Sequence, residues 1–238
     1  MKKWMRFMVL AVMPAAMLVS CDEDGDDVIP PVQEDEARVM VVHASPDAPG
    51  VDLLVDGEKV NTDALNYPNN TGYLTIPAGT RGITVNAAGT SDAVIDRDID
   101  FDKDKSYTIF ATGSLGSNDI QPLVLTDDLT APTTGNAKVR FVHLSPDAPA
   151  VDVAVAGDGG AVLFDGQEFR EASAFISVPA GTYDLEVRLD ADNSVVLPLD
   201  GIELQSGMIY TVFARGFVTL PEGNTNALGA QIIMHDME

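Results

Sequence analysis

From residue 37 onward the chain alternates apolar and polar positions in short runs. Ala37, Val39, Val41 and His43 fall on one side of an extended chain, with Arg38 and Met40 on the other. Val51, Leu53 and Val55 alternate in the same way. About a hundred residues later the pattern returns: Ala137, Val139, Phe141 and His143 oppose Lys138 and Arg140, and Val151, Val153 and Val155 alternate again. Pro77-Ala78-Gly79 and Pro179-Ala180-Gly181 supply turn chemistry between such runs, since Pro fixes φ and Gly accepts positive φ. Short strands at close spacing, with no long helical period, predict an all-β fold of antiparallel sandwiches, Ig-like or transthyretin-like in build.

The two patterned regions are copies. Residues 37–57 and 137–157 are identical at thirteen of 21 aligned positions, where unrelated segments would share roughly one or two. Tyr73–Thr80 matches Phe175–Thr182, and Tyr107–Gly113 matches Tyr210–Gly216. The copies differ most across 57–73 and 157–175. Each has the size of a domain. The expected divisions are residues 1–20 as a signal peptide, 21–36 as a lipidated acidic tether, 37–128 and 137–238 as the two repeats, and 129–136 as a linker. Tyr107 and Tyr210 each open an apolar strand just after a tight turn, the place of a tyrosine corner, whose hydroxyl bonds back to the backbone.

The N-terminus reads as an address. Lys2, Lys3 and Arg6 precede an apolar run, Phe7–Val19, of signal-peptide length and too short to span a bilayer as a helix. It ends in Leu18-Val19-Ser20-Cys21, which resembles the lipobox of bacterial lipoproteins; the resemblance implies that Cys21 becomes the first mature residue and carries the lipid. Cys21 is the single cysteine of the chain, so it has no disulfide partner in an oxidising compartment. Several acyl chains would hold the chain on a membrane, each buried CH₂ adding about 0.8 kcal/mol. The acidic tract Asp22–Asp27 is similar to a surface-export signal of Gram-negative lipoproteins, which implies an outer-membrane position facing the medium.

Charge narrows the partners. The chain carries −23, and its first twenty residues hold three bases and no acid, so the part after Ser20 carries −26. Phosphate backbones would be repelled, which excludes nucleic acid. A membrane, through the lipid on Cys21, and a glycan or protein at the cell surface remain.

The motif His43-Ala-Ser45-Pro46-Asp47-Ala-Pro49 and its twin His143-Leu-Ser145-Pro146-Asp147-Ala-Pro149, followed by Pro-Ala-Gly-Thr and Tyr-Thr-(Ile/Val)-Phe-Ala, resemble the family called domain of unknown function 4397. The resemblance covers nearly everything from Ala37 onward, in two copies. It implies a repeated β-sandwich module of secreted and cell-envelope proteins, and no established activity.

His, Ser and Asp in one motif suggest a hydrolase triad. A triad needs a Ser activated by a His that a third group orients, together with an oxyanion hole. Three residues at one strand end rarely fold back that way, and no Gly-x-Ser-x-Gly elbow accompanies them. The rings of His43 and His143 are expected to finish the core edge. Ser45 and Asp47 are expected to bond the backbone of their own Pro-stiffened turn. His43, Asp47, His143 and Asp147 stand as candidate ligand-binding residues. No catalytic residue, cofactor or metal site is expected: no His pair has ligand spacing, and Asp98, Asp100, Asp102 and Asp104 lack the Gly and Glu of a calcium loop. That tract reads instead as a charged strand edge that discourages pairing. Sugar binding is weakened by the loss of the one tryptophan, Trp4, with the signal peptide. The reading is a non-enzymatic envelope lipoprotein, a binding or spacer module, with a glycan or protein adhesin, a calcium-stabilised accessory domain and an unrecognised hydrolase as alternatives.

Overall fold

The computed structural model describes residues 35–237, and these are all-β. Cys21, the signal peptide and nearly all of the tether lie outside the described residues. Among the described residues no helix is long and apolar enough to cross a membrane.

The first repeat contains β1 (Glu36–His43), β2 (Val51–Val55), β3 (Glu58–Lys59), β4 (Asn70–Pro77), β5 (Gly79–Ala87), β6 (Ala93–Phe101), β7 (Ser106–Thr112) and β8 (Gln121–Asp127). The second contains β9 (Asn136–His143), β10 (Val151–Val155), β11 (Val162–Gln167), β12 (Ile176–Pro179), β13 (Gly181–Leu189), β14 (Val195–Leu204), β15 (Ile209–Arg215) and β16 (Gly229–His235). Each repeat is a sandwich of two four-stranded sheets. Their orders are β4-β1-β7-β8 with β3-β2-β5-β6, and β12-β9-β15-β16 with β11-β10-β13-β14. All pairs are antiparallel except β1 with β7 and β9 with β15, which run parallel. A parallel pair needs a long crossover, and here the other strands of the repeat supply it.

The alternating positions fill the two sandwich interiors. Val39, Val41, Leu53, Val85, Ile95 and Phe101 belong to the first core. Val139, Phe141, Val153, Val187, Leu204 and Val212 belong to the second. Both tyrosine corners form: Tyr107 Oη accepts from Asp102 N at 2.9 Å, and Tyr210 Oη accepts from Gln205 N at 3.1 Å. Asp98 and Asp100 lie exposed on β6, an edge strand, as the charged-edge reading expects.

A third core joins the repeats. Met40, Val42, Ala44 and Phe110 meet Val142, Leu144, Phe213 and Ile233, all at most 4% exposed. The ring centroids of Phe110 and Phe213 lie 5.5 Å apart, edge to face. The face of β1 that carries Met40 is therefore buried against the other repeat. Four sheets stack in one body, and β1, β7, β9 and β15 are covered on both faces. This is why Thr108–Ala111 and Thr211–Ala214 are buried at odd and even positions alike.

Beside this apolar seam lies a closed polar ring. Arg140 Nη2 donates to Asp127 Oδ1 at 2.6 Å, and Arg140 Nε donates to Thr211 Oγ1 at 2.8 Å. Thr211 Oγ1 lies 2.6 Å from His235 Nε2, and His235 Nδ1 lies 2.8 Å from Tyr73 Oη. Tyr73 Oη donates to Asp127 Oδ2 at 2.6 Å, where Thr108 Oγ1 also donates at 2.7 Å. Tyr73, Thr108 and Asp127 come from the first repeat, and the other three from the second.

Candidate functional site

The two repeats lie side by side with the same ends together. Pro46 O of the first accepts from Asn224 Nδ2 at 3.1 Å and Asn226 Nδ2 at 2.6 Å of the second. Arg170 Nη2 reaches Asp119 Oδ2 at 3.2 Å, and the Arg215 guanidinium sits over the Tyr67 ring. Both His-x-Ser-Pro-Asp motifs thus occupy one end of the body, which we call distal. The chain enters the body at the other end, at Glu36 in β1.

His43 is 1% exposed, and its Nε2 donates to Pro49 O at 2.8 Å. That leaves Nδ1 unprotonated, buried and without a partner among the described residues. His143 is fully buried; its Nε2 lies 3.0 Å from Pro149 O, and its Nδ1 accepts from Ser145 N at 3.3 Å. Burial holds both rings below the ordinary histidine pKa, against the carbonyl bonds that favour protonation. Each ring ties its strand end to the far side of its own Pro-rich loop, at the core edge.

Asp47 reaches beyond its own turn. Its carboxylate accepts from Leu115 N at 2.8 Å, Gly116 N at 2.9 Å and Ser114 Oγ at 2.6 Å, all in the loop after β7. Burial raises its pKa, but these donors outweigh it and hold the carboxyl below its usual value. Asp147 likewise braces the loop after β15, accepting from Val218 N at 2.8 Å and Thr219 N at 2.7 Å. Besides its contact with Ser45 in its own turn, the Asp47 carboxylate braces a neighbouring loop, a role that the motif's spacing does not show. That loop leaves its strand sharply, through Gly113 at φ +115° in one repeat and Gly216 at φ +81° in the other. A Cβ at either glycine would run into a loop carbonyl.

The serines do not meet the histidines through their hydroxyls. Ser45 Oγ points to Asp47 Oδ1 at 3.5 Å, and Ser145 Oγ donates to Gly216 O at 2.6 Å. Motif residues that could have formed a nucleophile and its base serve loop architecture instead. They hold up a rim on which Leu115, Val218 and Leu220 are 44%, 52% and 46% exposed. Between the rims lies a cleft of about 420 Å³ lined by Asp47, Leu115, Gly116, Glu222 and Asn224. It belongs to both repeats together.

One carboxylate cluster was not foreseen. Asp152, Asp165 and Asp190 bring one oxygen each within 4.8 Å of one another, and Asp152 Oδ1 also accepts from Gly166 N. The corresponding carboxylate of the first repeat, Asp52, is met instead by Lys59 Nζ at 2.7 Å. Lys59 and Asp165 fall in the segments where the copies diverge most, and Asp190 follows β13, where the first repeat has no matching acid, so the repeat comparison carried no signal for the cluster.

Residues 37–154 match the family model described as "Domain of unknown function (DUF4397)", a span that runs from β1 through most of β10. No curated protein matches the chain. Solved structures similar to it include the following three. One is a family 26 carbohydrate-binding module of Eubacterium rectale Amy13K in complex with maltoheptaose, at 8% identity over 82% of this chain and 96% of that one, with a TM-score of 0.27. Another is a streptococcal virulence factor described by its α-glucan binding, at 13% identity over 76% and 92%, with a TM-score of 0.24. The third is the tip fimbrial protein Mfa3 of Porphyromonas gingivalis, at 9% identity over 84% and 99%, with a TM-score of 0.25. The fold assigned above rests on strand order and register, not on these likenesses.

Proposed function

We propose that this protein is a non-enzymatic binding module of the cell envelope, anchored by lipid on Cys21 and meeting a glycan or protein partner with its distal loops. One observation carries the reading: the two repeats are locked into one body with both braced loop pairs at the end away from Glu36. A spacer has no need to bring its loops together or to leave Leu115, Val218 and Leu220 exposed on them. The role of each motif His as a carbonyl-bound strut speaks for binding rather than hydrolysis.

Two measurements test it. Cys21→Ala should leave the membrane fraction, and a variant that stays there with its lipid label ends the anchoring claim. The full chain, screened against arrayed glycans and matrix proteins, should show saturable binding that Leu115→Asp with Leu220→Asp abolishes at unchanged thermal midpoint. Saturable binding untouched by those substitutions, or none at all, sinks the distal site.

A further inference from the structure

We propose that β16 is a self-association edge, along which two copies of this chain pair antiparallel and join their β12-β9-β15-β16 sheets into one. An open strand edge is a template for another strand, and folded proteins blunt it with charge, Pro, bulges or shortness. Seven of the eight edge strands among the described residues are blunted. β3 has two residues, both charged, and β12 has four and ends in Pro179. β8 contains Pro122, and β6 presents Asp96, Arg97, Asp98 and Asp100. β4, β11 and β14 carry register shifts and a positive-φ glycine each, at Gly72, Gly166 and Gly201.

β16, Gly-Ala-Gln-Ile-Ile-Met-His, has none of these. It has no Pro, its one titratable residue, His235, is 1% exposed, and its pairing with β15 runs unbroken over seven residues. It also leaves Ile232 and Met234 exposed at 36% and 52%. Its N–H and C=O groups on the open side have no partner among the described residues.

The occupant follows from the strand's own sequence. With Ile232 on a two-fold axis, antiparallel pairing sets Met234 against Ala230 of the second copy and Ala230 against its Met234, large against small, with Ile232 against Ile232 between them. The same register sets Asp236 beside Leu228 of the second copy, so the two Asp236 carboxylates lie at opposite ends of the ladder. An outside strand would need no such self-matching. The chain's charge of −26 after Ser20 works against pairing at long range, but salt screens it beyond roughly 8 Å, and the strand itself is uncharged on its open side. Antiparallel pairing points the two Asp35 ends in opposite directions. The stretch from Cys21 to Glu34 has a reach of up to about 46 Å, more than the roughly 27 Å of an eight-residue strand, so one membrane suffices for both copies.

The test is sedimentation velocity on the full chain in detergent, across concentration up to hundreds of micromolar and across salt. The expected result is twice the chain mass, with the dimer fraction rising as salt rises. Ile232→Lys places two ammonium groups face to face and should return the monomer mass, whereas Val195→Lys on β14 should not. Thermal unfolding of the dilute monomers confirms that both variants fold. A wild-type chain that is monomeric throughout overturns the proposal, and so does a dimer that survives Ile232→Lys in a folded variant.

Discussion

Arg140 of the second repeat donates to Asp127 of the first at 2.6 Å, with the two side chains 3% and 0% exposed. The pair sits at the seam, and every remaining polar atom of the ring around it is bonded to a residue of one repeat or the other. Asp127 takes Tyr73 and Thr108 on its second oxygen, and Arg140 takes Thr211 on its Nε. Removing one charge would leave the other buried and uncompensated, which costs about 3–5 kcal/mol. Arg140→Met and Asp127→Leu should each lose roughly that much in urea unfolding. The double variant should lose clearly less than the two together. Additive losses would mean that the pair does not couple the repeats.

His235 links the same ring through both of its nitrogens. Tyr73 gives its proton to Asp127, so His235 Nδ1 must donate to Tyr73, and Nε2 must then accept from Thr211. Only the neutral ring fits. Burial, with Arg140 nearby, pulls its pKa down to about 4, against the pull of Asp127 and Asp236 in the other direction. Above the unfolded value of about 6.5 neither state is protonated and nothing is lost. Between about 6.5 and 4 the unfolded chain takes up a proton that the folded one refuses, so stability falls as pH falls. At about 1.4 kcal/mol per unit the loss amounts to roughly 3 kcal/mol. The stability difference between wild type and His235→Gln should therefore shrink by about that amount from pH 7 to pH 4. A difference that stays flat with pH would refute the assignment.

The period-2 pattern located the inward positions of β1, β2, β9 and β10, because one strand's alternation needs no knowledge of its neighbours. The tyrosine corners were equally local, since each hydroxyl bonds a backbone N–H five residues away. The seam was not local. Alternation shows that Met40 and Arg140 face away from their own core but not what lies beyond them, and Arg140 looks like an exposed base until Asp127 is placed against it. The trace it left was in Ile109-Phe110-Ala111 and its twin Val212-Phe213-Ala214, apolar on both parities. The motif aspartates were visible as candidates, but their partners, Leu115, Gly116, Val218 and Thr219, lie 68 to 72 residues away along the chain. Spacing within the motif cannot reveal them.

Each corner tyrosine holds one N–H that would otherwise be partly buried and unbonded. Tyr107→Phe and Tyr210→Phe keep the ring and remove the acceptor, so each should cost about 1–2 kcal/mol in chemical denaturation with little change in the core. Equal effects are expected because the two corners have the same geometry within 0.2 Å, at 2.9 and 3.1 Å. No effect from either would make the hydroxyls incidental.

The Asp47 carboxylate should matter more to loop order than to global stability. It bonds two backbone amides and one hydroxyl of a loop whose own residues Leu115 and Gly116 are exposed. Asp47→Ala should speed hydrogen exchange at the Leu115 and Gly116 amides toward the unprotected rate while leaving β7 amides slow. Slow exchange at Leu115 in the variant would show that Gly113 and the loop hold themselves.

The last prediction concerns whether a repeat can stand alone. Cut free, the second repeat would bare Val142, Leu144, Phe213 and Ile233, all at most 4% exposed in the whole body. Arg140 would lose Asp127 at the same time, so the new surface would be apolar with a stranded charge on it. A patch of that kind is a site of association, and the lost burial of Phe213 against Phe110 alone compares with a Phe→Ala truncation, about 3–5 kcal/mol. Residues 129–238 expressed alone should therefore elute as aggregate or unfold without a cooperative transition, whereas the two-repeat body should unfold in one. Phe110→Ala in the intact chain should reproduce a milder form of the same defect. A monomeric, cooperatively unfolding single repeat would show that the seam is an adhesive contact between two finished domains and not part of a common core.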